Sequence, residues 1–139
     1  MGISEINWLA VLVASLAFFG LGLVWYGPFF GKPWQRAISI DGGMALRQSH
    51  SLGLLIAGFI MSVIIAVGMA IFLYAPNGDQ QLGAAYGALI GLMVGVLFIL
   101  PSTVMNYIFA RRPLALILID GFYHIAASTL TGAILGAWH

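Results

Sequence analysis

The sequence predicts an all-α bundle of four transmembrane helices, arranged as two like-oriented helical hairpins with both termini outside. Three observations carry that expectation. The 139-residue chain is 62% hydrophobic and only 6% charged, where soluble domains carry roughly 25% charged residues. Its apolar residues gather in long runs of the length that crosses a hydrocarbon core. Breaks rich in Pro, Gly or Arg separate those runs. Residues 1–139 make one transmembrane domain. A net charge of +1 is too small to suggest nucleic-acid binding, and the absence of cysteine excludes disulfides, thiol catalysis and cysteine-ligated metals.

The first span covers residues 7–26. Trp8 lies near one end and Trp25-Tyr26 at the other, as expected of aromatic anchors at two membrane interfaces. Pro28 and Pro33, which lack an N–H, are expected to stop the helix close by. Lys32 and Arg36 then meet water or lipid headgroups. The string Trp25, Tyr26, Pro28, Lys32, Trp34 forms either an interface anchor and turn or a lid or lipid-headgroup site. The following loop, residues 35–51, is expected to hold at most a short surface helix, at residues 44–49.

The second span, residues 52–74, carries no charge and has a small-residue stripe at Gly58, Ser62, Ala66 and Ala70. The third, residues 82–109, opens with Gly83, Gly87, Gly91 and Gly95 at a strict four-residue spacing, which places them on one helix face. In lipid that arrangement lets a neighbouring backbone approach closely. The partner is either a helix of the same chain or the same span of a second copy, and a homo-oligomer is the favoured expectation. Pro101 should kink the second half of this span. The fourth span, residues 114–138, repeats Asp120, His124, Ser128, Gly132 and Gly136 every four residues.

Several strings taken together carry a resemblance. They are Ile6-Asn7-Trp8-Leu9-Ala10-Val11, the segment from Leu23 through Trp25-Tyr26-Gly27-Pro28 to Gly31-Lys32-Pro33-Trp34, Asn106-Tyr107-Ile108-Phe109, and Gly121-Phe122-Tyr123-His124 before Gly132 to Trp138. The chain resembles the small bacterial integral membrane family catalogued as domain of unknown function 1761. The resemblance implies a four-helix membrane protein, expected in the bacterial inner membrane, with no established activity and no catalytic or ligand residues to carry over.

Asp120 is the one acidic group well inside a span, about 9 Å along the helix from Leu114 at 1.5 Å per residue. An ionisable side chain at such a place costs about 2–3 kcal/mol or more to insert and commonly marks an ion or proton path. The expected intramembrane polar site combines Asp120 and His124 with Ser102, Thr103 and Asn106 at similar depth. Ser15, Ser62, Ser128, Thr129 and Thr131 are expected to bond back to their own helix carbonyls. Metal binding is not expected, because Asp120 and His124 supply two ligands where three or four are needed. No cofactor or enzymatic motif is present. Two functions follow as expectations. One is a small transport or permeation protein for an ion or small solute. The other is a non-catalytic module that packs with itself or a larger membrane partner through the Gly83, Gly87, Gly91, Gly95 seam.

Lys32, Arg36 and Arg47 lie between spans one and two, and Arg111 and Arg112 between spans three and four. All five are on one side, which the positive-inside rule makes cytoplasmic. The chain lacks native cysteine, so single cysteines report sidedness directly. An impermeant thiol reagent on intact cells is expected to label Asp79→Cys and spare Ser49→Cys, and the reverse pattern would invert the topology.

Overall fold

The computed structural model describes residues 6–39, 52–77 and 80–139. Most of the described residues are helical, with no strand among them. In chain order the helices are α1 (Trp8–Val24), α2 (Gly31–Ser39), α3 (Leu52–Tyr74), α4 (Gly83–Val94), α5 (Leu100–Phe109) and α6 (Leu114–Ala137). A π-helical turn, Trp25–Phe29, joins α1 to α2, and a second, Gly95–Ile99, joins α4 to α5. Four segments are long and apolar enough to cross a membrane: Trp8–Phe29, Leu52–Tyr74, Gly83–Phe109 and Leu114–Ala137.

The prolines act differently from expectation. Pro28 does not end the first span. It sits inside the π turn, where the chain continues through a wider loop closed by Phe30 N–H donating to the Trp25 carbonyl at 2.8 Å. Pro33 falls in the first turn of α2, where a missing N–H costs little. The segment after the first span is therefore helical through Ser39 and not a loop from Gln35 onward. Ahead of Pro101, the Leu100 N–H reaches back to the Gly95 carbonyl, five residues away, so the turn before the proline is widened. The surface helix expected at residues 44–49 lies outside the described residues.

The helix α6 is the hub. It packs against α1, α2, α3, α4 and α5, and 44% of its span is buried against 11% for Gly83–Phe109. Its most extensive partner is α4, and the glycine spacing gives the reason. A Cβ on Gly87 would strike the Gly132 carbonyl, one on Gly91 the Ser128 carbonyl, and one on Gly132 the Gly87 carbonyl. One on Gly95 would meet Ser128 Oγ, and one on Gly136 would come within 2.6 Å of the Gly83 carbonyl. Each step of four down α4 meets a step of four up α6, so the two helices run antiparallel with backbones in contact. The seam is thus filled within the chain. Gly83 itself is exposed and adopts φ +76°, where the helix begins.

On the other side, α1 and α3 close against α6 through alanines. Ala10, Ala14, Ala66, Ala70 and Leu135 are fully buried in one cluster with Leu73 and Tyr74. One contact brings the N-terminal side of α1 to the C-terminal end of α6, and a second ties that end to α3. Asn7 Nδ2 donates to the Trp138 carbonyl at 3.3 Å, and Tyr74 stacks on His139 at 4.0 Å. The opposite end carries Lys32, Arg36, Arg111 and Arg112.

This packing makes a differential forecast for thermal unfolding in detergent. Gly91→Ala forces a methyl into the Ser128 carbonyl and should cost about 1–3 kcal/mol, as overpacking does. Gly20→Ala has nothing within 4 Å of its new methyl and should be near neutral. Equal effects would contradict the seam.

Candidate functional site

The site is built at the basic end from three spans. Asp120 lies two turns into α6 and is only 7% exposed. Tyr26, in the π turn after α1, donates its hydroxyl to Asp120 Oδ1 at 2.6 Å. Tyr107, near the end of α5, donates its hydroxyl to Asp120 Oδ2 at 2.6 Å. Such lengths belong to hydroxyl–carboxylate hydrogen bonds. Each oxygen of the carboxylate therefore has a donor, and each donor comes from a different part of the chain.

The aromatic string around Tyr26 holds it in place. Trp25 Nε1 donates to the Ile119 carbonyl at 3.1 Å, pinning the π turn to α6 one residue before Asp120. Trp34 of α2 meets the Tyr26 ring edge-on at 5.3 Å. Gly31 is buried, and a Cβ there would come within 2.6 Å of the Tyr26 carbonyl, so the turn from the π segment into α2 requires glycine. Tyr123 packs edge-on against Tyr26 at 5.2 Å and donates its own hydroxyl to the Phe18 carbonyl at 3.1 Å. Gly22 makes room for that hydroxyl, which would lie 2.9 Å from a Cβ on it. The Trp25–Trp34 string is thus a structural part of the Asp120 site.

The residues expected beside Asp120 are placed otherwise. Ser102 and Asn106 are exposed and Thr103 is half-buried. The helical register explains this: Tyr107 points at Asp120, so Asn106, 100° away around α5, does not. His124 lies one turn beyond Asp120, packed against Phe18 and Tyr123. Its Nδ1 is buried and makes no hydrogen bond, and the same is true of Thr131 Oγ1. Thr131 thereby departs from the expected back-bonding, which Ser15, Ser62, Ser128 and Thr129 do show, at 2.7 Å each. The four-residue register of α6 also drifts by about 40° per step. Asp120 accordingly meets α5 and the π turn after α1, while Ser128, Gly132 and Gly136 meet α4 and the π turn that follows it.

Sequence reasoning had Tyr26 as an interface anchor and gave Tyr107 no role. Their hydroxyls sit 94 and 13 residues from Asp120 in sequence, and only the folded helices bring them together. No group of three metal-ligating side chains converges among the described residues. Chemically, the arrangement is a buried carboxylate clasped by two hydroxyl donors, with an unpartnered imidazole nitrogen one turn deeper.

A family model described as protein of unknown function (DUF1761) matches residues 9–136. No curated protein and no solved structure matches the chain.

The clasp ranks substitutions by stability. Tyr26→Phe and Tyr107→Phe should each lower it by about 0.6–2 kcal/mol, the range of hydrogen bonds between membrane helices. Asn106→Ala, on the exposed face, should stay within about 0.5 kcal/mol of wild type. Reversible unfolding in mixed detergent micelles checks the order, and an Asn106 effect larger than that of Tyr107 would contradict the site.

Proposed function

The chain belongs to the DUF1761 family, described as of unknown function, and we propose that it is a small, non-catalytic permeation protein for an ion or small solute, opened by protonation of Asp120. The observation that carries the reading is the buried carboxylate held between Tyr26 and Tyr107. Ionisable groups within spans are costly and by default point to function. An ionised carboxylate accepts from both tyrosines. A protonated one becomes a donor at one oxygen and gives up part of its acceptor capacity, so one hydroxyl bond weakens.

Both tyrosines belong to spans interrupted by a π turn, Trp25–Phe29, which contains Tyr26, and Gly95–Ile99, ahead of α5. Such turns recur at functional sites and at places where helices bend. Loosening the clasp would free the α1 and α5 ends to part from α6 at the basic end. His124 is the next polar group inward. Because α6 fills the glycine face of α4, assembly into a homo-oligomer would use the exposed faces of α3 and α5, where Ile56, Ile60, Ile64, Met105 and Ile108 are open.

A second reading has a specific observation behind it. The buried hydroxyls of Ser15, Ser62 and Ser128 are turned onto their own helices, so little polar lining continues beyond His124. On that reading the protein is a packing module for a larger membrane partner, and Asp120 is a structural fastening.

Ion and proton flux into liposomes separates the two. Wild type and Asp120→Asn are compared from about pH 5 to 8, a range wide enough to titrate a typical histidine. The permeation reading expects wild-type flux that rises as pH falls, and in Asp120→Asn, whose neutral amide stands in for the protonated acid, flux that is already high and no longer varies with pH, with assembly intact. No flux above empty liposomes from folded protein would leave the module reading.

A further inference from the structure

A cleft of about 330 Å³ lies on the outer side of α6, where the π turn and Phe30 lean against it. Trp25, Phe30, Leu118, Phe122 and Ile125 line it and Ala126 forms part of its wall, so its surface is apolar. Leu118 and Phe122 are 48% and 59% exposed, which turns the cleft toward the bilayer and away from the bundle interior.

The chain leaves the cleft at Phe30 and enters α2 directly. That helix is two-sided. Gly31 and Ala37 are buried, and α2 packs on α6. Lys32 and Arg36, one turn apart on a shared face, are exposed. An amphipathic helix with basic residues on its outer face, placed at the end of a span, is suited to the headgroup layer. The same end carries Arg111 and Arg112. An apolar slot two residues from an exposed cation matches a molecule with a hydrocarbon chain and a negative head.

We infer that this cleft binds one acyl chain of an anionic phospholipid, with its phosphate held by Lys32 and Arg36 of α2. The lipid lies against Trp25, whose indole is already fixed by its bond to the Ile119 carbonyl, so the site is preformed. The inference is independent of whether anything permeates the bundle.

Trp25 makes the site readable. The chain has four tryptophans, and replacing Trp8, Trp34 and Trp138 by Phe leaves Trp25 as the reporter. The protein is placed in phosphatidylcholine vesicles with a small fraction of either brominated-chain phosphatidylglycerol or brominated-chain phosphatidylcholine. Phosphatidylglycerol should quench Trp25 more strongly. Lys32→Gln and Arg36→Gln should each reduce that preference about fivefold, and Ala126→Leu, which narrows the cleft, should reduce quenching by both lipids. Equal quenching by the two lipids would mean an ordinary lipid annulus, and quenching by neither would mean that a second copy covers the cleft. Either result overturns the site. If the triple substitution does not fold, the same comparison is read as the difference between the intact chain and Trp25→Phe.

Discussion

Apolar side chains gain little by leaving lipid for the face of another helix, because the hydrocarbon is as apolar as they are. What holds membrane helices together is close backbone packing and a few polar bonds. In this chain the closest packing is between α4 and α6, where Gly87 and Gly91 lie against the Gly132 and Ser128 carbonyls. That contact fixes where α6 sits, and α6 fixes the rest. Alanines of α1 and α3 close on its other side, and its first two turns receive the aromatic string and Tyr107. A side chain larger than hydrogen at Gly87, Gly91 or Gly132 would push α4 from α6 and carry α5, with Tyr107, away from Asp120.

The two ends of the bundle use polar bonds differently. At the end where the termini meet, Asn7 and Tyr74 donate to the Trp138 and Leu135 carbonyls. Those are fastenings between neutral groups. At the basic end the acceptor is a carboxylate, and both donors come from spans whose regular helix is broken by a π turn nearby. At the carboxylate end the backbone also has alternatives to a straight helix.

The spans were legible because each is a run of apolar residues with little charge, bounded by strong breakers. The second span was placed at residues 52–74, as observed, and the third and fourth differ by one residue at one end. The glycine seam was legible as a packing face, and the fold supplies its partner, α6. The ends of helices near proline were less legible. Pro28 and Pro101 signal a missing donor, but a π turn absorbs that loss without ending the helix, and nothing local distinguishes the two outcomes. Asp120 stood out because a carboxylate in a span is rare. Its partners did not, since a tyrosine near a membrane interface looks the same whether its hydroxyl faces headgroups or reaches across to another helix.

A double-mutant cycle tests the central claim, that Asp120 ties spans one, three and four together, more directly than any other measurement. Unfolding free energies in mixed micelles are compared for wild type, Asp120→Leu, Tyr26→Phe and the pair, and likewise with Tyr107→Phe. Direct contact at 2.6 Å predicts that both pairs are non-additive, with coupling of about 0.5–3 kcal/mol. Additive losses within about 0.5 kcal/mol for either pair would contradict the clasp.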